Sequence, residues 1–342
     1  MRLTNIAASI LTLVFAGYVG VTTKAPSNQP SGQRSNQQNP PQAQGPPQVQ
    51  TNVVNVFATV RNKQHGIVTD LTKDDFRVTE DGVEQKVEFF QKEVKMPIRL
   101  GMLINTSMDR MIDAERDAAS RFLRDVMRPK DEAMVITFDF DVDLVADLTQ
   151  DTSVLASAIH KPRVKPVGGG CVVAAGPFPG GNDSGCTVLY DAIYLACHEE
   201  LATEAGRKGV IIMTDAEDTG SKMRLQDALR AAQRADAVIH VILISDRMAT
   251  FGTEPGAAQR MAEDTGGRVI DVHNEESLEK AFDELSEELR SQYVLAYYPT
   301  TVKRDGVFRK IQVTVARPDV KVLARKGYYA PSTLGTKSPP HS

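Results

Sequence analysis

The chain has 342 residues, which is enough for more than one domain, and its 41% hydrophobic and 25% charged residues are ordinary for a soluble globular protein. A formal net charge of -4 gives no electrostatic basis for binding nucleic acid, so we exclude nucleic acid as a partner. The chain has no Trp, which excludes ligand recognition anchored on that residue.

The N-terminal segment, residues 1–25, has the features of a signal peptide or an N-terminal anchor. Arg2 supplies a positive charge ahead of an apolar stretch at residues 6–21. That stretch is short for a stable span, which needs about 20 apolar residues. We therefore expect an extracytoplasmic protein that is secreted, periplasmic or anchored in the cell envelope. We expect membrane contact only through this segment, and only if it stays uncleaved.

A linker and a β-rich segment follow the N-terminal segment. Residues 26–50 are rich in Pro and Gln, a composition that cannot bury enough apolar surface to fold, and they predict a disordered tether. Strand-like patterns at 53–60, 76–80 and 83–90 come next, and Asp81-Gly82 predicts a hairpin between the last two.

The middle of the chain alternates strand-like and helical patterns. Strands are predicted at 98–104, 133–138, 144–148, 209–214, 237–244 and 268–271, and helices at 112–126, 154–160, 190–204, 224–235, 257–265 and 278–290. This alternation predicts an α/β fold with a doubly wound, mostly parallel, Rossmann-like sheet. The adjacent strands at 133–148 supply an antiparallel edge.

The C-terminal part is again β-rich. Strand-like patterns occupy 293–298, 308–316, 320–324 and 327–329, with a turn at Asp305-Gly306. Neither β-rich end is long enough for an independent core. We therefore predict one small antiparallel β-domain built from residues 51–96 and 291–331. The α/β domain, residues 97–290, is inserted in it, and residues 332–342 form a disordered tail.

The three cysteines suggest one disulfide candidate. Cys171 and Cys186 flank a loop rich in Gly and Pro, and a bond between them in an oxidising compartment would stabilise a loop of roughly 15 residues by about 3 kcal/mol in the chain-entropy model. Two unpaired thiols are the alternative. Cys197 lies in a helical pattern and is expected to be a small buried apolar residue.

Three segments carry the residues that could bind a ligand or a metal ion. They are LINTSMD (103–109), GCTVLYDAIY (185–194) and IIMTDAED (211–218). Loops that leave the carboxyl ends of parallel strands converge on one crevice. They are expected to bring together two carboxylates, two hydroxyls and one amide, from Asn105, Ser107, Asp109, Thr187 and Asp215. Oxygen ligands of this kind suit a hard divalent cation such as Mg²⁺.

The spacing resembles the metal-ion-dependent adhesion site of von Willebrand factor type A domains, which is Asp-x-Ser-x-Ser after the first strand, a Thr in a second loop and an Asp after the fourth strand. With the flanking sequences LTKDDFRVTEDGVEQKV (71–87) and YVLAYYP (293–299), the chain is similar to a bacterial family of exported type A-related proteins abundant in acidobacteria. The resemblance implies Mg²⁺, with Mn²⁺ or Ca²⁺ as substitutes, and a protein partner that presents a carboxylate. It also implies that Ser107 binds the cation directly, that Thr187 is the ligand that exchanges when a partner binds, and that Asp215 binds the cation either directly or through water.

Two positions depart from the family pattern. Asn105 replaces the first Asp and removes a charge, whereas Asp109 replaces the second Ser and adds one. A carboxylate at Asp109 would enter the coordination shell and reduce the attraction of the cation for an acidic partner. In the alternative interpretation, Asp109 only caps the helix that starts near Arg110.

Other sites have weaker support. Asp139-x-Asp141-x-Asp143 lacks the Gly and Glu of a calcium-binding EF-hand, and a hairpin connection fits it better. Glu217 and Asp218 are interpreted as solvated loop carboxylates, and His240 as a core histidine with satisfied nitrogens. No P-loop, dinucleotide motif or nucleophile elbow is present.

The sequence therefore favours a non-enzymatic binding protein for adhesion or for scaffolding of an envelope complex, with a modified adhesion site through which binding would depend on a divalent cation. Two alternatives remain open at this point. One is a structural interaction module with a decayed metal site, favoured by Asn105 and Asp109. The other is a metal-assisted hydrolase that uses Asp109, Asp215 and a bound water, which lacks an evident base or nucleophile pair.

Overall fold

The computed structural model describes residues 53–92, 96–107, 112–161, 187–244 and 255–332. The strands are β1 (Val54–Asn62), β2 (Phe76–Glu80), β3 (Val83–Gln85), β4 (Val87–Lys92), β5 (Ile98–Asn105), β6 (Glu132–Phe138), β7 (Val142–Thr149), β8 (Arg207–Thr214), β9 (Ala237–Ile244), β10 (Val269–Val272), β11 (Tyr293–Tyr297), β12 (Phe308–Val315), β13 (Val320–Ala324) and β14 (Gly327–Tyr329). The helices are α1 (Ile112–Val126), α2 (Thr152–Ile159), α3 (Leu189–Tyr194), α4 (Leu225–Ala235), α5 (Pro255–Thr265) and α6 (Glu275–Arg290). None of the described helices has the length and apolarity needed to cross a membrane.

The largest sheet has six strands in the order β10-β9-β8-β5-β6-β7. Neighbouring strands are parallel from β10 to β6, and β7 is antiparallel to β6. The short acidic turn between β6 and β7 is therefore a hairpin connection, as predicted. The predicted fold class, an α/β fold with a mostly parallel sheet, is confirmed.

Both faces of this sheet are covered by helices. One buried cluster packs α1, α2 and α6 against side chains such as Leu100, Met102 and Ile104 of β5. The other packs α3, α4 and α5 against the opposite face, where Leu103 of the same strand points. Successive strand side chains alternate between faces, so a strand buried on both sides must be apolar throughout. This explains the continuous apolar runs in the sequence.

Two four-stranded antiparallel sheets combine strands from both ends of the described chain. Their orders are β13-β1-β11-β4 and β14-β12-β2-β3, and they share a buried cluster that includes Val56, Leu71, Tyr293 and Ile311. The hairpin at Asp81-Gly82 is confirmed, since β2 pairs with β3 and both turn residues have positive φ, 49° and 84°.

One predicted strand and one predicted helix are divided in the structure. Residues 83–90 are not one strand, because β3 pairs with β2 whereas β4 pairs with β11 in the other sheet. The Gln85 side chain stabilises this crossing through two hydrogen bonds of 3.1 Å with Thr300. Its Nε2 donates to the Thr300 hydroxyl, and its Oε1 accepts the Thr300 backbone N–H. The helix predicted at 190–204 ends earlier, since α3 continues only as a π-helical segment, Leu195–Glu200. This segment ends with a hydrogen bond of the π-helical type, from the Leu201 N–H to the carbonyl of Ala196, five residues earlier, at 2.9 Å.

A buried ionic cluster joins β1 to the α/β part. Glu288 of α6 is 0% exposed and accepts hydrogen bonds from Arg61 of β1 at 3.1 Å and from Arg268 at 2.8 Å. Glu284, one helical turn earlier and partly exposed, contacts the same two guanidinium groups. We call these four residues the Glu288 cluster. The two arginines depend on the two glutamates of this cluster for charge compensation.

Candidate functional site

The candidate site lies at the carboxyl edge of the six-stranded sheet, between β5 and β8. β5 pairs with β6 on one side and β8 on the other, in registers that include Ile104 opposite Met213. The chain leaves β5 through α1 towards β6, and later leaves β8 through α4 towards β9. The connections therefore diverge between β5 and β8. Ligand crevices of open α/β sheets form at such a switch point, outside the carboxyl ends of the strands.

Asn105 and Ser107 form a local hydrogen-bonded unit at the end of β5. The Asn105 Oδ1 accepts the Ser107 N–H at 3.0 Å and the Ser107 hydroxyl at 2.7 Å. The backbone N–H needs an acceptor, and this fixes which way the Asn105 amide points. Because the Ser107 O–H donates its hydrogen bond to Asn105, the lone pairs of the Ser107 hydroxyl oxygen stay free to bind a cation. The Asn105 Nδ2 is buried, and no described residue accepts its hydrogens.

The loop after β5, which starts with Thr106 and is only partly described, is hydrogen-bonded to the end of β6. Thr106 N–H donates to the Phe138 carbonyl at 2.9 Å, and its hydroxyl donates to the Asp139 carboxylate at 3.0 Å. Asp139 is 3% exposed. The first carboxylate of the acidic run therefore has a structural role in holding the loop that carries Ser107.

Asp215 is the first residue after β8 and is partly buried. Its Oδ1 accepts the Glu217 N–H at 3.2 Å, across a tight turn in which Ala216 has a left-handed φ of 64°. Burial raises the pKa of Asp215, while the hydrogen bond from Glu217 opposes that rise. A strained residue next to a half-buried carboxylate is typical of a functional site.

Thr187 is held against the same loop by its backbone. Its N–H donates to the Thr219 hydroxyl at 3.0 Å, and its carbonyl accepts the N–H groups of Thr219 and Gly220 at 3.0 and 3.1 Å. The following N–H, of Val188, donates to the Asp139 carbonyl at 2.8 Å. Thr187, 5% exposed, therefore bridges the loops after β6 and β8, which flank the loop after β5.

The structure thus places four of the five predicted ligands on connected loops at one edge of the sheet. The fifth, Asp109, lies outside the described residues, as do Cys171 and Cys186 of the candidate disulfide. Cys197 is buried, as predicted, and burial raises the pKa of its thiol to about 12. Within the described ranges, no group of three or more His, Cys, Asp or Glu side chains could hold a metal. The donors present, hydroxyl and carboxylate oxygens, fit a hard cation rather than Zn²⁺ or Cu²⁺.

One further carboxylate near the site, Glu115 in the first turn of α1, was not predicted from the sequence. This side chain is 0% exposed, and neither carboxylate oxygen has a hydrogen-bond partner in the described part of the chain. Burial raises the pKa of Glu115 to about 8, the charge of Asp215 adds to the rise, and Arg116 opposes it. The signal was readable, because Glu115 starts the buried stripe that continues through Ala118, Ala119 and Phe122 of α1.

Asp218 is not the solvated loop carboxylate that we predicted. Its Oδ2 accepts the Tyr190 N–H at 2.9 Å and the Ser221 hydroxyl at 2.5 Å. Val188, which precedes α3, has no side chain able to cap that helix. Asp218 therefore supplies the cap from another loop, and burial, its largest influence, raises the pKa of its carboxyl group.

We expect Asp218→Ala to lower the free energy of unfolding by about 1 kcal/mol, since it removes the acceptor of an α3 N–H group. Urea denaturation of the variant checks this, with Asp147→Ala as the control because Asp147 is an exposed residue of β7. Equal unfolding midpoints for the two variants would contradict the capping role.

Comparisons with known proteins give likenesses of structure only. No protein-family model and no curated protein matches the sequence. Similar solved structures include a von Willebrand factor type A protein from Catenulispora acidiphila, at 12% identity and TM-score 0.44, covering 77% of this chain and 74% of that one. Another is proximal thread matrix protein 1 of the mussel byssus with a zinc-occupied MIDAS motif, at 14% identity and TM-score 0.47, covering 62% of this chain and 50% of that one.

A third is the von Willebrand factor domain of the type V pili tip protein Mfa5 from Porphyromonas gingivalis, at 13% identity and TM-score 0.40, covering 57% of this chain and 96% of that one. These structures include the class of domain that the sequence resembles. At identities below 20% and TM-scores below 0.5, the likeness says nothing about what this protein binds.

Proposed function

We propose that the protein is an exported interaction module that binds a protein partner through a divalent cation at the β5/β8 crevice. Ser107, Thr187 and Asp215 are the proposed ligands, and Asp109 is expected to join them. The observation that carries the proposal is the Ser107 hydroxyl, which donates its proton to Asn105 at the end of the strand next to β8. An oxygen fixed in this way offers its lone pairs to a cation without reorganisation.

Asn105 has a positioning role in this proposal. Both hydrogen bonds that its carbonyl oxygen accepts come from Ser107, so the amide orients the ligand rather than binding the cation itself. The buried Nδ2 then has hydrogens to donate to a cation-bound water or to a carboxylate oxygen in the crevice. This accounts for an amide where the type A pattern has a carboxylate.

The cation we propose is Mg²⁺, with Mn²⁺ or Ca²⁺ as substitutes, because the donors are hydroxyl and carboxylate oxygens. When bound, it would supply a positive charge that attracts a carboxylate of the partner. We propose binding rather than catalysis, because the crevice residues in the described ranges include no His or Cys beside the hydroxyls.

The domain division supports this arrangement and is itself a proposal. Residues 51–96 and 291–331 would form the β-domain, and residues 97–290 the inserted α/β domain that carries the crevice. Support comes from the two antiparallel sheets, each of which combines strands that precede and follow the six-stranded sheet. Residues 1–25 as signal or anchor, 26–50 as linker and 332–342 as tail stay predictions outside the described residues, and so does an extracytoplasmic location.

Calorimetric titration of Mn²⁺ into the full chain and into Asp215→Asn tests the proposed function. We expect one saturable site in the wild type and at least roughly ten-fold weaker binding in the variant, since the half-buried carboxylate of Asp215 is the proposed anionic ligand that follows β8. The control is Asp147→Asn, which removes an equal charge from an exposed position of β7 and should bind as the wild type does.

A structural module with a decayed metal site is the second candidate function. It is favoured by the Asn105 carbonyl oxygen, whose hydrogen bonds with Ser107 hold the loop without a cation. Absence of saturable Mn²⁺ binding in the wild type would overturn the cation-dependent function and favour this candidate.

A further inference from the structure

We propose that Glu115 of α1 supplies a further carboxylate to the cation site, in addition to that of Asp215. The inference rests on the proposed function, because it adds a residue to the same crevice. The type A pattern of the sequence does not include this position, which lies ten residues after Asn105.

The first supporting observation is the environment of Glu115. Its side chain is 0% exposed, yet neither carboxylate oxygen has a hydrogen-bond partner among the described residues. Glu288 is also 0% exposed, but two arginines bond to one of its oxygens. A buried carboxylate is costly unless something of opposite charge or a hydrogen-bond donor meets it. Among the described residues Arg116 acts on Glu115 only through its charge and pairs with Asp113 instead, so a cation would supply the missing direct partner.

The second observation is the place of Glu115 in the fold. α1 lies between the end of β5 and the start of β6, so its first turn is at the carboxyl edge of the sheet, where Ser107 and Asp215 also lie. Side chains on a helix lean towards its N-terminus, which here means towards that edge. The charge of Asp215 contributes to the raised pKa of Glu115, as expected for two carboxylates in one neighbourhood.

The third observation is the balance of charge. Asp215 is a single carboxylate in a half-buried crevice, and the two hydroxyl donors, Ser107 and Thr187, are neutral. With an ionised Glu115 the described donors carry two negative charges instead of one, which strengthens their attraction for a divalent cation. The two carboxylates come from different elements, α1 and the end of β8, so a cation between them would also join these elements.

The test measures Mn²⁺ binding to the full chain by calorimetry, in the wild type, Glu115→Gln and Glu115→Asp. Gln keeps the size of the side chain and removes its charge, so we expect binding at least roughly ten-fold weaker. Asp keeps the charge but is shorter by one methylene, so we expect an intermediate loss. Asp113→Asn is the matched control, since Asp113 lies two residues away with its side chain 95% exposed. We expect this variant to bind Mn²⁺ within about two-fold of the wild type, which is roughly the error of such a comparison.

Thermal unfolding of the same proteins, with and without Mn²⁺, gives a second readout. Mn²⁺ should raise the Tm of the wild type and of Asp113→Asn more than that of Glu115→Gln, because only binding to the folded state stabilises. Equal affinity in the wild type and both Glu115 variants would overturn the role of Glu115 and leave the proposed function standing. No binding in the wild type would overturn both. If Glu115→Gln does not fold, Glu115→Asp decides by the same affinity comparison.

Discussion

Glu288→Gln is expected to lower the free energy of unfolding by about 3 kcal/mol, the loss typical of breaking a buried ion pair. The change keeps the size of the side chain but removes the only fully buried charge facing Arg61 and Arg268 in the Glu288 cluster. Both arginine side chains are themselves mostly buried, at 8% and 16% exposure, so water compensates them poorly.

Glu284→Gln is the matched control for this prediction. Glu284 contacts the same two arginines, but its side chain is 27% exposed, so water can replace part of the lost interaction. We expect a loss of about 1 kcal/mol. Urea denaturation of both variants checks the difference. Equal losses would contradict the view that burial at Glu288 is what makes this contact between β1 and α6 important for stability.

The second large effect concerns pH. Without a divalent cation, Glu115→Gln is expected to become more stable than the wild type as pH rises. The pKa of Glu115 is raised from 4.5 to about 8 in the folded protein, so the folded state holds this proton more tightly than the unfolded state does. The stability linked to that proton is fully present below about pH 4.5 and is lost as pH rises through about 8.

The size of this effect follows from the shift in pKa. Each unit corresponds to about 1.4 kcal/mol, so the wild type should lose on the order of 3–5 kcal/mol relative to Glu115→Gln between these pH values. Denaturation in EDTA at about pH 5, 7 and 9 checks this difference, because these values run from near the lower limit to above the upper one. Asp113→Asn should run parallel to the wild type because its side chain is exposed. A constant difference between the wild type and Glu115→Gln would contradict the burial of an unpaired Glu115.

The fold could be predicted largely from the sequence because its signals are local. Residues 100–104 of β5 are apolar throughout since both faces of the sheet are covered, and helices such as Ile112–Val126 show a clear amphipathic period. The break after Gln85 could not be predicted in this way. It depends on a tertiary contact with Thr300, more than two hundred residues away in the chain.

The candidate site was predictable in part for the same reason. Asn105, Ser107 and Asp215 follow apolar strands, so topology alone indicates one edge of the sheet. The cap provided by Asp218 depends on Tyr190, which lies on another segment, and local patterns do not reveal it. His240 is in the core as predicted, but the interpretation that its nitrogens are satisfied is wrong. Neither ring nitrogen has a partner among the described residues, and burial lowers its pKa.

Glu115 shows a different limit of sequence-based reasoning. An amphipathic pattern assigns charged residues to the exposed face, and Asp113 and Asp117, on either side of Glu115, do lie there. Only its place at the head of the buried stripe distinguishes Glu115. A charged residue in the apolar stripe at the start of a helix beside a candidate site therefore predicts a functional role, which the Glu115 variants test.

Crystallisation of the full chain with Mn²⁺, followed by measurement of the anomalous scattering of the metal, shows whether the β5/β8 crevice binds a cation. We expect one anomalous peak in this crevice, at a coordination distance of about 2.0–2.3 Å from oxygens of Ser107, Thr187 or Asp215. A crystal that shows no peak there, or a peak bound only elsewhere on the protein, would contradict a cation-dependent interaction site at this edge of the sheet.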